Sequence, residues 1–259
     1  DLSPIPTAGV PEEVKPVVYA FNDMMARLEQ NLQAQQRFIG DAAHQMRTPL
    51  TGLKMQTELA LQETDPELMR ASLRQIAESA DRAAHLIGQL LTLARAEASH
   101  RKTHAIEQVD IEALARQATL EWVPAAMAKR IDLGFEGTGW PLQVSGNPLL
   151  LRELIVNLID NAVKYTPEGG RITVRTRATD FAVLEDDGPG IPENERDLIF
   201  ERFYRVLGNE VPGSGLGLAI VREIAELHRG SVQLKPGPGG SGTLAQAIFP
   251  RRRFTISAL

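Results

Sequence analysis

The sequence predicts a multidomain chain: an all-α helical hairpin that forms a dimeric four-helix bundle, followed by an α+β two-layer sandwich. Three observations predict it. Apolar residues recur at steps of three and four over residues 39–57 and again over 73–90. A polar, aperiodic stretch, ASHRKTHAIEQ, then interrupts the pattern. Beyond it, helical periodicity alternates with β-branched runs such as RITVRT. A length of 259 residues with 43% hydrophobic content suits two modest domains, each able to bury a core.

Pro4, Pro6, Pro11 and Pro16 prevent a long helix at the start, and Glu12 and Glu13 suit a first helical turn. From about Val17 the pattern is helical, with Ile39, Ala43, Met46, Leu50, Leu53 and Thr57 as the seam. The helix should end near Glu63, because Thr64, Asp65, Pro66 and Glu67 supply a cap, a proline at the first helical position and an early acid. The seam of the second helix is Leu73, Ile76, Ala80, Ala83, Ile87 and Leu90, with Arg70, Arg74, Glu78 and Arg82 on its other face. Two helices bury too little alone, so the hairpin is expected to dimerise. After a linker at 97–107, helices are expected at 110–121, 147–163 and 216–228, and strands at 130–136, RITVRT, FAVLED, 231–235 and 243–249. Helices on one face of a mixed sheet give the sandwich.

Composition excludes several classes. A net charge of −5 without a basic stripe argues against nucleic-acid binding, and the RRR at 251–253 reads as a solvated terminal run. The absence of cysteine excludes disulfides and thiolate sites. No apolar run approaches the ~18–20 residues of a membrane span, so the chain as given is expected to be soluble. The first thirty or so residues read like the end of a membrane-proximal relay segment, so a piece of a larger receptor is expected. His85, His100, His104 and His228 lack partners at metal spacing, and no transition-metal site is assigned.

The chemistry concentrates in four stretches. In RFIGDAAHQMRTPL (37–50), His44 lies on an amphipathic helix five residues before Pro49. An imidazole offers a neutral, nucleophilic nitrogen near pH 7, although a helical histidine on a solvated face is the bland alternative. Pro49 removes a donor to the carbonyl of Gln45, so a bend is expected there. Thr48 shares the face of His44 and either holds a water or bonds back to its own helix. In NLIDNAVKYT (157–166), Asn157 and Asn161 share a helix face, and their carboxamide oxygens are suitable hard ligands for Mg²⁺. Lys164 supplies a charge for phosphate and Tyr165 a flat face for adenine or ribose.

In EDDGPGIP (185–192), the spacing of Asp186, Gly188 and Gly190 selects Asp186 over Asp187 as an acceptor for the exocyclic amine of adenine, which points to ATP. In GSGLGLAIV (213–221), Gly213, Gly215 and Gly217 precede a helical run beginning near Leu218, where exposed amides attract phosphate. Between the last two stretches, Phe200 and Phe203 are placed on a short helix, with core packing as their expected role, ahead of a loop rich in glycine. Gly240 and Gly242 are read as structure at the start of a strand.

In this order the four stretches resemble the phosphoacceptor helix and nucleotide-binding boxes of bacterial sensor histidine kinases, over nearly the whole chain. The resemblance implies a relay remnant and signalling helix at 1–30, a dimerisation and histidine phosphotransfer domain at 31–96, a linker at 97–107, an ATP-binding domain of the histidine kinase/Hsp90-like type at 108–253, and a tail at 254–259. It implies that His44 is autophosphorylated from Mg-ATP and passes the phosphoryl group to an aspartate of a response regulator, with Thr48 serving dephosphorylation. Asn161 becomes the principal Mg²⁺ ligand with Asn157 beside it, Leu218 joins the nucleotide contacts, and the loop after Phe203 looks like the family's mobile lid, with Arg202 or Arg205 able to reach phosphate oxygens. It further implies a homodimer in the cytoplasmic portion of an inner-membrane receptor, reaching the membrane only through a missing N-terminal part. One departure stands out: the family usually has a carboxylate after the histidine, and this chain has Gln45, which cannot act as a base. The helix resembles the subgroup that includes the tricarboxylate-transport type. A phosphatase-dominant adaptor and an ATPase of the same nucleotide-binding fold are the alternatives.

Overall fold

The computed structural model describes residues 3–8, 10–99, 106–177, 182–206, 211, 213–237 and 242–250. It divides into two compact units, Asp1–Ala84 and His85–Leu259.

The first unit is built on helix α1, Lys15–Gln62, and the first part of α2, Pro66–Ser99. Pro16 sits in the first turn of α1, where its missing donor costs nothing. Glu12 therefore precedes the helix, contrary to expectation, and pairs with Lys15. The proline-rich segment folds back on α1: the backbone N–H of Ile5 donates to Asn22 Oδ1 at 2.8 Å, and Asn22 Nδ2 donates to the Ile5 carbonyl at 3.0 Å. The helix continues through Pro49. Asp65 caps α2, accepting from the N–H of Glu67 at 2.8 Å and of Leu68 at 3.4 Å.

The seams agree with the expected ones only in part. Ile39, Leu50 and Leu73 are 59%, 56% and 54% exposed, and Ile87 is also uncovered. Of the expected seam, Met46, Leu53, Ile76, Ala83 and Leu90 are partly covered; the other covered positions include Phe38, Ala42, Gln45, Pro49, Gln56 and Ala60 on α1, and Ser79 and Leu86 on α2. The covered stripe is poorer in large apolar groups because polar pairs serve it: Ser79 Oγ donates to Gln56 Oε1 at 3.1 Å and accepts from Arg82 Nη2 at 2.7 Å. Periodicity detects the more apolar stripe, part of which the single chain leaves open.

The second unit begins with the last turns of α2. Strands β1, Glu107–Asp110, and β3, Gln143–Gly146, form an antiparallel pair absent from the sequence reading, being too short to show alternation. Asp110 caps α3, Ile111–Ala128, which runs beyond the expected end at 121 and through Pro124. Strand β2, Asp132–Glu136, pairs parallel with β4, Arg171–Arg175. β4 pairs antiparallel with β5, Ala182–Asp186; β5 with β7, Thr243–Ile248; and β7 with β6, Ser231–Pro236. The five-stranded sheet is therefore mixed, in the order β2-β4-β5-β7-β6.

Helix α4, Pro148–Tyr165, lies between α3 and α5, Gly217–Leu227, and the three pack on the sheet. Leu151, Leu154 and Ile159 of α4, Ile220 and Ile224 of α5, and Ile172 of β4 are almost completely buried between the layers. Asn147 fixes the start of α4, accepting from the N–H of Leu149 at 3.0 Å and of Leu150 at 3.2 Å.

Phe200 ends a short 3₁₀ turn, Leu198–Phe200, and is buried as expected. Phe203 is not helical: its φ is 64°, and its N–H donates to the Gly215 carbonyl at 2.9 Å. Only glycine fits opposite it, since a Cβ on Gly215 would lie 2.6 Å from the Phe203 carbonyl carbon. His100, His104, Gly240, the arginines at 251–253 and the tail fall outside the described residues, as does most of the expected linker.

Candidate functional site

The sandwich holds a cavity of about 630 Å³ between α4, the end of β5 and the segment leading into α5. Around it come together Asn161, Lys164, Tyr165, Asp186, Gly190, Arg205, Gly213, Gly215, Gly217 and Leu218 from four separate stretches of sequence. Leu158, Leu184, Ile191, Ile199, Leu234 and Ala245 supply apolar wall. A mostly apolar slot with a few fixed polar groups suits a planar base attached to a charged tail.

Asp186 ends β5 and is only 7% exposed. Burial pushes its carboxyl up to about 6, against the opposing effect of backbone donors from Gly188, at 2.9 Å from Oδ1, and from Thr243. At neutral pH it is an acceptor-only carboxylate held by its own turn. Gly242 packs directly on it: a Cβ there would lie 1.9 Å from the Asp186 carbonyl oxygen, at a φ of 76°. The structural role read for Gly242 in the sequence is thus a close backbone approach to Asp186.

The α4 face carries the amides. Asn161 is half-buried and borders the cavity, whereas Asn157 lies deeper and does not line it. A Cβ on Gly217 would come within 3.2 Å of the Asn161 carboxamide and 3.4 Å of Asn157 Oδ1, so both amides meet the first residue of α5. Lys164 Nζ donates to Asp160 Oδ2 at 2.6 Å. Lys129 caps the end of α4, its Nζ donating to the carbonyls of Val163 and Lys164 at 2.9 and 2.8 Å. Arg205 borders the cavity and donates through Nη2 to the Val211 carbonyl at 2.6 Å. Arg202 points instead towards Glu223, 3.8 Å away, and neither it nor Gly188 lines the cavity.

Gln89, Asp160, Ser214 and Thr243 are polar cavity residues that sequence reasoning missed. Asp160 had a readable signal in its four-residue spacing from Lys164. Gln89, a lone glutamine in a helical run, had none.

No cluster of three or more carboxylate or histidine ligands exists among the described residues. The donor set therefore fits a hard cation held jointly by carboxamide oxygens, water and a ligand's phosphates, and does not fit a metal bound by protein alone. In the other unit, His44 is exposed on α1, Gln45 is half-buried, and Thr48 Oγ1 donates to the His44 carbonyl at 3.5 Å, the back-bond weighed for it in the sequence. No described helix is long and apolar enough to cross a membrane.

Comparison with known proteins agrees with both clusters. Residues 34–99 match the His Kinase A (phospho-acceptor) domain, and residues 146–253 match the histidine kinase-, DNA gyrase B- and HSP90-like ATPase family. Sensor protein QseC of Escherichia coli (strain K12) is 39% identical over 231 residues, 89% of this chain and 51% of QseC, so the chain spans about half the length of this curated relative. That match does not confirm the tricarboxylate-transport subgroup. The solved structure of the mycobacterial sensor histidine kinase MprB is 37% identical, with a TM-score of 0.50 over 57% of this chain and 99% of that one. Histidine kinase ThkA, solved in complex with response regulator protein TrrA, shares the fold at 20% identity, with a TM-score of 0.63 over 93% of this chain and 67% of that one. With an acceptor-type hairpin, a matching nucleotide-binding sandwich and near-complete coverage of the solved MprB chain, this chain belongs to the bacterial sensor histidine kinases.

Proposed function

We propose that this chain transfers the γ-phosphoryl group of Mg-ATP to a ring nitrogen of His44 and then to an aspartate of a separate response regulator. The observation that carries the reading is the cavity in which Asp186, Asn161 of α4 and the glycine-rich start of α5 converge. The Asp186 carboxylate accepts from the exocyclic amine of adenine, and Tyr165 lies along the base or ribose. Amides at the start of α5, with Lys164 and Arg205, face the phosphates. Mg²⁺, held by Asn161 with Asn157 beside it, neutralises charge on the phosphate oxygens. Gly188 and Arg202 act behind the site, one shaping the Asp186 turn and the other positioned to swing in with the lid.

In the transfer, a bond forms between the imidazole nitrogen and the γ-phosphorus as the bond to the bridging oxygen breaks, and ADP leaves. The imidazole proton goes to water or another acceptor, because Gln45 cannot take it. A second displacement, by a regulator carboxylate, breaks the nitrogen–phosphorus bond. The response regulator seen with ThkA supports this partner. The exposed apolar stripe of the hairpin supports a homodimer, and kinship with a sensor protein supports a cytoplasmic place within an inner-membrane receptor.

Gln45 also favours a second reading, in which the chain mainly removes phosphate from its regulator with Thr48 holding the attacking water. The deciding experiment follows label from γ-phosphate-labelled ATP with Mg²⁺ into the chain, His44→Gln and Gln45→Glu. Acid-labile label absent only from His44→Gln, and faster in Gln45→Glu, is expected. No label despite ATP binding would leave the phosphatase reading, and steady ATP turnover without phosphoprotein would mark an ATPase.

A further inference from the structure

Gln89 is the one described residue of α2 that lines the nucleotide cavity, and it is only 6% exposed. Its carboxamide spans two parts of the sandwich. Nε2 donates to Asn157 Oδ1 on α4 at 3.3 Å, and Oε1 accepts from Ser214 Oγ, in the glycine-rich loop, at 2.6 Å.

The surrounding bonds fix which way each amide points. Asn157 Nδ2 is committed to the Glu153 carbonyl at 2.8 Å, so Oδ1 is the atom turned towards Gln89. Ser214 Oγ already accepts from the Leu216 N–H at 3.2 Å, which leaves its own hydrogen for Gln89. A cation can use only the oxygen of a carboxamide, and on Asn157 that oxygen is the one Gln89 covers. Two residues that the function requires, a metal-side amide and a phosphate-side loop, are thus tied together by a side chain from the helix that leads back to the hairpin.

We propose that Gln89 is a latch on the nucleotide site: it occupies Asn157 Oδ1 and holds the Ser214 loop, and binding of Mg-ATP breaks both hydrogen bonds. Release of Gln89 then reports nucleotide occupancy to α2, and by linkage any signal that draws α2 away favours Mg-ATP binding by the same factor. The inference rests on the reading of this cavity as the Mg-ATP site. It differs from a simple ligand contact in sign, because removing a contact weakens binding and removing a latch strengthens it.

The test is calorimetric titration of the full chain with ATP plus Mg²⁺ and with ATP plus a chelator, comparing wild type with Gln89→Met, which keeps the length and loses both bonds, and Gln89→Ala. Thermal unfolding checks that each variant is folded. Both variants are expected to bind Mg-ATP about three- to tenfold tighter, the worth of one to two modest hydrogen bonds. The gain should be smaller with the chelator, because only the metal form uses Asn157 Oδ1. Weaker or unchanged Mg-ATP binding in both folded variants, with normal wild-type binding, would overturn the latch alone. A wild-type chain that binds no Mg-ATP would overturn the functional reading and the latch with it.

Discussion

The hairpin and the sandwich bury apolar surface in opposite ways. In the sandwich, Leu151, Ile172, Ile220 and Ile224 are enclosed between helices and sheet, and the cavity residues stand on the elements that carry them. In the hairpin, Ile39, Leu50 and Leu73 stay exposed, as does His44. For the proposed transfer, a group that meets both a nucleotide and a separate regulator is useful on an open surface. A site that must position a triphosphate needs a rigid, internally complete core.

The largest expected effect tests that contrast directly. Ile220→Ala removes a completely buried side chain and should destabilise the sandwich by about 2–5 kcal/mol, read as a lower urea midpoint. Leu50→Ala removes comparable apolar bulk, yet should leave the sandwich transition in place and lower self-association, read by sedimentation across a concentration series. If Leu50→Ala instead shifted the sandwich transition, the two units would not be separate in energy.

Asp186 sharpens the comparison from the side of function. Asp186→Ala should weaken ATP binding by roughly ten- to a hundredfold, the usual worth of a hydrogen bond to a charged group. Wild-type binding should also weaken as pH falls below about 6 and the carboxylate protonates. Stability runs the other way. Folding raises this pKa from 3.8 to about 6, so the group's contribution is most favourable below 3.8 and is lost as pH rises through about 6. Near pH 7, the buried charge costs the free chain up to about 3 kcal/mol. Asp186→Asn should therefore raise the melting temperature of the nucleotide-free sandwich while binding ATP less well. A variant that melts lower at neutral pH would break this account.

Glu112 carries the opposite sign in the same unit. It is 3% exposed and accepts from the N–H and hydroxyl of Thr138 at 2.7 and 2.6 Å, the N–H of Gly139 at 3.0 Å and Thr176 Oγ1 at 3.1 Å. These donors, the Thr138 hydroxyl foremost, lower its carboxyl to about 2 despite burial. Its contribution is present above 4.5 and lost as pH falls towards about 2. Glu112→Gln, which cannot accept on both sides, should cost about 1–3 kcal/mol at neutral pH, with the gap to wild type closing in acid. An equal gap at both pH values would remove the charge from the explanation.

What the sequence disclosed divides along the same line. The helix boundaries at Glu63 and Asp65, the five strands of the mixed sheet and the convergence of Asp186 with the later glycines were legible, because caps, alternation and glycine spacing are local signals. Strands β1 and β3 were not, since four residues carry no period. The covered hairpin stripe was legible only in part, at positions such as Leu53 and Ile76, because Gln56 and Ser79 interact through hydrogen bonds that hydrophobic periodicity cannot register. Phe203 looked helical from its neighbours, and its positive φ follows from a contact with Gly215 across the loop. Gln89 was invisible for the same reason: its partners, Asn157 and Ser214, are 68 and 125 residues away.

The smallest expected effect concerns His228, a joint between the two helices that bear the nucleotide site. Asn147 N–H donates to His228 Nε2 at 3.0 Å, so the ring proton lies on Nδ1, which donates to the Ile224 carbonyl at 2.7 Å. The end of α5 is thereby tied to the cap of α4, with Phe249 edge-on to the ring at 6.2 Å. A Cβ on Gly146 would strike the ring at 2.4 Å, so glycine precedes the cap by necessity. Burial lowers the imidazole pKa below its ordinary 6.5, against the pull of the Ile224 carbonyl. A second ring proton would face the Asn147 N–H and abolish that bond. Stability from His228 is thus complete above 6.5 and is lost as pH falls through the depressed folded value. His228→Gln should melt below wild type at about pH 7.5, and the difference should narrow by about pH 5.5 as wild type loses its joint. Comparing the pair cancels the opposing titration of Asp186, which both chains share. A gap that stays constant over this range would mean that His228 holds α4 to α5 by shape alone, and the hairpin, which contains no part of this joint, should respond identically in both proteins.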